Sequence, residues 1–210
     1  GKMGDNAAFL REAIAKDRLF QAAIRFPGVQ MQCLAHTRWA SNGIISLANC
    51  HPVDSAAVRA STGRIAARGE IVAVLNGDVD NYLALVEKHA RKQGLRIEEG
   101  ITTDAKIIPL VVADHYRESC DLSEAFRAAF EEFEGSMAIG VMAADCPGEI
   151  LFGQKGSGQG LFFGLTDHAV AIASEMYGIV EYTPRNLKAD GERVEGGEVF
   201  RIPHGEGEVP

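Results

Sequence analysis

Arg38 lies in the polar segment His36-Thr37-Arg38-Trp39-Ala40-Ser41-Asn42-Gly43. Its planar guanidinium can give a carboxylate two parallel, charge-assisted hydrogen bonds. Asp104 follows Thr103 where a helix is expected to begin, and the helix dipole there favours an ionised, compact acceptor. Asn76-Gly77 ends a β-prone run and joins a side-chain N–H to a backbone N–H that no side chain shields, the donor pair needed to stabilise an oxyanion. Between these lies Asn49-Cys50-His51-Pro52, in which His51 reads as a hydrogen-bonded structural residue beside Pro52 rather than a proton shuttle. Taken singly, each signal has a plain alternative. Asn-Gly makes turns, Thr-Asp caps helices, a lone arginine makes surface ion pairs, and Trp39 suits a core as well as a lid.

The surrounding pattern supplies elements to hold these residues. Apolar positions from Ala8 to Ile24 recur at helical spacing and Pro27-Gly28 closes the segment, so one or two short helices come first. Residues 29–36 alternate partly at period two and predict a strand, with Cys33 in its middle and the Arg38 loop at its end. Residues 53–69, rich in Ala, Arg, Ser and Gly, predict a surface loop or short hairpin. Glu70-Ile71-Val72-Ala73-Val74-Leu75 predicts a strand ending at Asn76-Gly77. Asp78 is the expected cap of a following helix with Leu83, Val86 and Ala90 on one face and Gly94 as its stop. The Asn76-Gly77 pair thus falls at a strand-to-helix junction, where backbone amides face outward.

Thr102 or Thr103 is expected to cap a helix from Asp104 onward, with Pro109 confined to its first turns. A further helix over 122–133, starting at Ser123, precedes strands over 137–142, 149–152, 161–165, 169–173 and 198–202. Helices flanking β-rich segments indicate an α/β sandwich with stacked sheets and outer helices. The glycines between Gly153 and Gly164 lack the Lys-Ser/Thr ending of a phosphate loop and read as turns between strands. The polar tail 203–210 reads as a frayed terminus or the start of a linker.

Twenty-one basic against 29 acidic residues leave a formal charge of −8, and no basic cluster alternates with aromatics, which argues against nucleic acid as a partner. No apolar run is long enough to span a bilayer and no signal peptide is evident, so the expectation is a soluble, cytoplasmic protein. Cys33, Cys50, Cys120 and Cys146 have no Cys-x-x-Cys spacing and no nearby histidine ladder, and are expected to be free, mostly buried thiols. No metal or organic cofactor is implied.

The Thr-Arg-Trp loop, Asn-x-His-Pro, Asn-Gly after a strand and Thr-Asp before a helix, in that order, resemble the glutamine site of class II glutamine amidotransferases, most closely the glutaminase domains of hexosamine-forming synthases. The resemblance covers nearly the whole chain, with its weight between His36 and Asp104. It implies one domain over 1–210 and the four-layer αββα sandwich of the N-terminal nucleophile hydrolases, lacking its first strand. It also implies that Arg38 binds the glutamine carboxylate, Asp104 its ammonium, and that Asn76 and Gly77 form the oxyanion hole. Trp39 to Gly43 correspond to the loop that closes over glutamine, with Trp39 near the ammonia passage, and His51 joins the substrate-binding set.

The chemistry implied is attack of a cysteine on the glutamine amide, release of ammonia to an acceptor, often a sugar phosphate on a further domain, and hydrolysis of the thioester. Glutamine or glutamate is the implied ligand, and homo-oligomerisation is left open. Several departures stand out. Asn42 occupies a position where the family commonly has His, and Lys106 one where it has Glu, so that Lys106 is expected to pair with Asp104. The stretch between His51 and Asn76 is longer than usual. The family's nucleophile, an N-terminal cysteine whose own α-amine is the base, has no counterpart here: Cys33 sits in a predicted strand with no free α-amine, and Cys50 is equally unsuited. A catalytically silent glutamine-binding or regulatory module is therefore the alternative expectation.

Overall fold

The computed structural model describes residues 5–29, 31–37, 43–59, 63–65, 70–191 and 193–203. The chain divides into two compact units, Gly1–Cys33 and Leu34–Pro210. The first holds helices α1 (Asp5–Lys16) and α2 (Arg18–Ile24), as the apolar spacing predicts. Asp17 separates them and caps α2, its carboxylate accepting the Phe20 N–H at 2.9 Å.

The second unit is built on a fully antiparallel five-stranded sheet, in the order β1 (Val53–Asp54), β4 (Ile71–Gly77), β6 (Met137–Ala143), β7 (Glu149–Lys155) and β11 (Glu198–Pro203). The central strand reads Met-Ala-Ile-Gly-Val-Met-Ala because both of its faces are covered. Met137, Ile139 and Val141 face α4 (Ile107–Ser119) and α5 (Leu122–Glu132), where Ile108, Val111, Phe126 and Phe130 fill the main core. Ala138 and Met142 alternate to the opposite side. There they join Phe152 and Phe200 against Leu161 and against Phe163 and Ile172 of a second antiparallel sheet, β10 (Asn186–Lys188), β8 (Phe162–Leu165) and β9 (Val170–Ala173).

The single-turn helix α6 (Tyr177–Val180) buries Ile179 against Gly164 of β8, a point with no room for a Cβ. Helices, sheet, sheet and a short outer helix are the expected sandwich layers. A third small sheet, β3 (Gly63–Ile65), β2 (Ala57–Arg59) and β5 (Leu95–Arg96), carries the predicted hairpin. That region is less superficial than expected, since Val53 and Ala57 enter the main core.

Several expectations are corrected. Residues 31–37 alternate in exposure, yet no strand pairs with them among the described residues. Period-two patterning selects which side chains turn inward, but a strand also needs a neighbour for its N–H and C=O groups. Leu34 does use this sidedness, packing with the inter-sheet cluster. Asp78 does not cap the next helix, because α3 (Tyr82–Leu85) starts three residues further on, after Asn81, and the Asp78 N–H instead continues the sheet by donating to Ser136 O (3.2 Å). The helix then widens into a π turn, Val86–Ala90, before ending at Gly94 with φ +68°. This leaves Leu83 70% exposed and turns Leu85, His89 and Ala90 inward. The cap of α5 is Asp121, which accepts the Glu124 N–H, so that helix begins at Leu122 rather than Ser123. Nor are the thiols mostly buried: Cys33, Cys50 and Cys120 are exposed and Cys146 is half-buried, all of them free.

Phe126 is wholly buried between α5 and the sheet and its ring lies against that of Phe130. Phe126→Ala removes that packing and leaves a cavity in the main core. Its unfolding free energy is expected to fall by about 3–5 kcal/mol, read as a lower urea midpoint with an unchanged slope.

Candidate active site

The candidate residues converge on the C-terminal end of β4, because one fully buried side chain ties together the two loops that flank it. Asn49 ends a short 3₁₀ turn, Leu47–Asn49. Its Nδ2 donates to Ser46 Oγ (2.8 Å) and to Gly100 O (2.9 Å), while its Oδ1 accepts the N–H groups of Thr102 (2.7 Å) and Thr103 (2.9 Å). Every donor and acceptor of the amide is used. The Ile44 N–H adds a further tie to Thr102 Oγ1 at 2.8 Å, and a Cβ on Gly43, which has φ +81°, would lie 2.9 Å from Thr102. The expected cap at Thr103 is positional only, since no side-chain bond closes the turn at Asp104–Lys106. The buried amide supplies the anchorage.

Asp104 leaves this loop and is buried beside the end of β4, where its Oδ2 accepts the Val79 N–H at 2.8 Å. Burial is the largest influence on its carboxyl and raises it above the ordinary value. The Val79 hydrogen bond opposes that rise, and the charge of Asp78 adds to it. Lys106 does not pair with Asp104. It is 1% exposed and its Nζ reaches the other way, to Asp54 O and Asp54 Oδ1, both at 2.7 Å. A buried ammonium needs such neutralisation, and the pair pins the turn carrying Asp104 to β1 while leaving Asp104 for other partners.

The edge of β4 facing β1 has a regular order. Successive N–H groups in an antiparallel ladder point alternately to the two sides, and the Asp78 bond to Ser136 O assigns the even-numbered residues to β6 at this end. On the other side the Leu75 N–H donates to His51 Nδ1 (3.2 Å) and the Val79 N–H donates to Asp104. The N–H of Gly77 lies between these two on that same edge. Gly77 has φ +112°, and a Cβ there would sit 2.0 Å from Ser136 O, so no other residue fits without shifting backbone. Asn76 alternates onto the face it shares with Val74 and Ala138, turned toward the second sheet.

His51 has the structural position its neighbourhood predicts. An accepting Nδ1 carries no proton, so the neutral ring holds its proton on Nε2. Its ring lies 4.5 Å from that of His36, which brings His36 to the same end of β4. Arg38 and Trp39 lie outside the described residues. The structure therefore brings together His51, Asn76, Gly77 and Asp104 of the predicted set. What the sequence reading missed is the work of Asn49, whose only signal was its place in the Asn-x-His-Pro element. The glycines after Gly153 form turns between β7 and β8, as predicted, and Gln154 fixes them by donating from Nε2 to Gln159 O.

In sequence the chain is similar to glutamine amidotransferases, and in fold to amidotransferases of the N-terminal nucleophile hydrolase type. Its curated relatives include glutamine–fructose-6-phosphate aminotransferases (isomerizing). That of Methanothermobacter thermautotrophicus is 30% identical over 162 residues, covering 77% of this chain and 25% of the relative. That of Thermosynechococcus vestitus is 33% identical over 179 residues, covering 80% and 24%. The chain spans about a quarter of the length of these relatives. Among solved structures, the glutamine phosphoribosylpyrophosphate amidotransferase of B. subtilis superposes with a TM-score of 0.51 over 82% of this chain and 35% of its own. At 17% identity that likeness speaks for the fold. No family model matches the chain.

Two substitutions separate anchorage from chemistry. Asn49→Ala leaves Thr102 N, Thr103 N and Gly100 O without their partner. At about 1–3 kcal/mol for each buried unsatisfied group, the expected loss is about 3–9 kcal/mol in denaturant unfolding. Asp104→Asn keeps an acceptor for Val79 and removes a charge that burial disfavours, so stability should be unchanged or higher, whereas Asp104→Ala should cost about 1–3 kcal/mol in the same assay.

Proposed function

We propose that this domain binds glutamine at the end of β4 and serves the glutaminase half-reaction of an amidotransferase, the ammonia passing to an acceptor, a sugar phosphate, held by a further domain. The observation that carries this reading is the Gly77 N–H beside Asn76. Two donors at a strand end, one of them a backbone group that cannot turn away, suit the oxyanion of a tetrahedral intermediate. Asp104 suits the substrate ammonium, which would offset the cost of its burial, and Arg38 the carboxylate.

The thiolate that attacks the amide is the remaining requirement. Cys50 is ill-suited, its Sγ engaged at 3.4 Å with Ser46 O, and neither Cys50 nor Cys33 has a free α-amine as base. We assign the nucleophile to neither. Fragments of the relatives' names support the acceptor class: they are fructose-6-phosphate aminotransferases, and the chain matches only about a quarter of each. On this reading the aminating chemistry belongs to the remainder of a longer protein.

Calorimetric titration of the chain with glutamine tests the pocket. Binding is expected to be weak, about 1 mM, and Arg38→Ala should weaken it by about 2–5 kcal/mol, beyond detection for such a ligand. Affinity should fall as the pH is lowered, because only ionised Asp104 holds an ammonium, and the fall should begin above the ordinary carboxylate value since burial raises this group. Asp104→Asn should abolish that dependence along with most of the binding. Glutamine binding indifferent to both substitutions would remove the assignment. Where a thiolate is supplied, Asn76→Ala should lower turnover by about 10²–10³ with a smaller effect on affinity.

A further inference from the structure

The helical layer holds a second cluster of functional groups that the glutamine reading does not use. His89 comes from the π turn after α3, His115 from α4 and Glu132 from the last turn of α5. His89 Nε2 lies 2.7 Å from Glu132 Oε2, and His115 Nε2 lies 2.8 Å from Glu132 Oε1. The three donor atoms all fall within 4.8 Å of one another. His89 is 4% exposed, and its other nitrogen, Nδ1, lies 2.6 Å from Asp114 Oδ2. Asp114 is itself held, its Oδ1 accepting from Gln93 Nε2 (2.7 Å) and from Arg117 (2.9 Å).

We propose that His89, His115 and Glu132 form a binding site for one divalent transition-metal ion of the zinc class. Two imidazoles and one carboxylate are ligands this class of ion favours, and three protein ligands leave a fourth position for water. Ligand atoms on a tetrahedral zinc are roughly 3.3 Å apart, given bonds of about 2.0–2.1 Å. The two nitrogens already sit closer than that to the two oxygens of one carboxylate, so an ion entering the cluster needs only a small outward movement of Glu132 and His115.

The second argument is the shell around His89. A metal-bound imidazole almost always donates its other N–H to a carboxylate or carbonyl, which sets its tautomer and orientation. Asp114 occupies that position, and Gln93 and Arg117 orient Asp114 in turn. A His89 that donates its Nδ1–H to Asp114 turns Nε2 toward Glu132 and the ion position, the arrangement a metal-bound imidazole needs. The π turn adds a third argument. Such turns insert a residue into a helix and recur at functional sites, and here the turn carries the inward-facing His89.

Among the described residues, Lys88 is the cation that competes for Glu132. Its Nζ donates to Glu132 Oε2 at 2.8 Å, but its side chain is 55% exposed and can leave for solvent. The ion would join three elements from separate parts of the chain, so binding should stabilise the domain whether or not glutamine is present.

The test uses the tag-free chain freed of metal by chelation and titrated with Co(II), then Zn(II). One equivalent of Co(II) should give the visible d–d bands of a four-coordinate site, and Zn(II) should remove them. At free zinc about a hundredfold above Kd, the melting temperature should rise by about 5–10 °C. Asp114→Asn should weaken binding about 10–100-fold at unchanged stoichiometry. His115→Ala should weaken it at least as much, and Lys88→Met should tighten it by removing the competing ammonium. A readout without substitutions comes from imidazole ¹⁵N resonances of the unmodified chain, in which His89 and His115 Nε2 should both shift with zinc while His36 and His51 do not. Absence of a stoichiometric Co(II) site, zinc shifts confined to other histidines, or binding unaffected by His115→Ala would each overturn the proposal.

Discussion

The geometry at the end of β4 depends on the buried amide of Asn49. Two loops meet there, residues 43–50 and 100–104, and neither carries more than a short 3₁₀ turn. Loops of this kind are ordinarily on the surface, because irregular backbone leaves polar groups that water must satisfy. Asn49 makes the exception workable by presenting two donors and two acceptor sites in one rigid plane, all matched by backbone or hydroxyl groups. No apolar side chain of that volume could do this, and an ionised carboxylate would lose both donations.

From that anchor a chain of dependence runs to the candidate chemistry. Fixing Thr102 and Thr103 fixes the direction in which Asp104 leaves the loop, and Asp104 then holds Val79. On the other side of Gly77, His51 holds Leu75. The short backbone segment between them is clamped at both ends, which is the kind of preorganisation an oxyanion donor needs, since its dipole must already be aimed when charge develops. The arrangement has a cost. Asp104 is buried beside the like charge of Asp78, so its ionised form is disfavoured until a cation arrives. Lys106 cannot be that cation, because Asp54 has already claimed it.

The helical layer obeys a similar logic with different chemistry. Charged and polar groups that three helices would otherwise bury alone are gathered around Glu132, which His89, His115 and Lys88 together hold down to about 2 against the upward push of burial. Residues from such distant positions can meet only after α4 and α5 have packed on the sheet and the π turn has rotated His89 inward. The histidines sit at no spacing that a metal motif would use, which is why the sequence reading expected no metal.

Much was determined by local pattern. Helices α1, α2, α4 and α5, the long strands β4, β6, β7 and β11, the stop at Gly94 and the turn role of the glycines after Gly153 were all legible, because apolar period and backbone permissiveness are properties of neighbouring residues. The order of the Asn-x-His-Pro, Asn-Gly and Thr-Asp elements was enough to indicate the family. What the sequence could not determine were choices among partners. Segment 31–37 has the alternation of a strand but no described neighbour to pair with. Asp78 has the chemistry of a cap but the helix starts only after Asn81, and Lys106 lies two residues from Asp104 yet reaches back to β1. Asn49 looked like one more loop polar residue. In each case the sequence names what a group can bond to, and only the tertiary structure, by bringing distant segments within hydrogen-bond reach, decides which of those bonds is made.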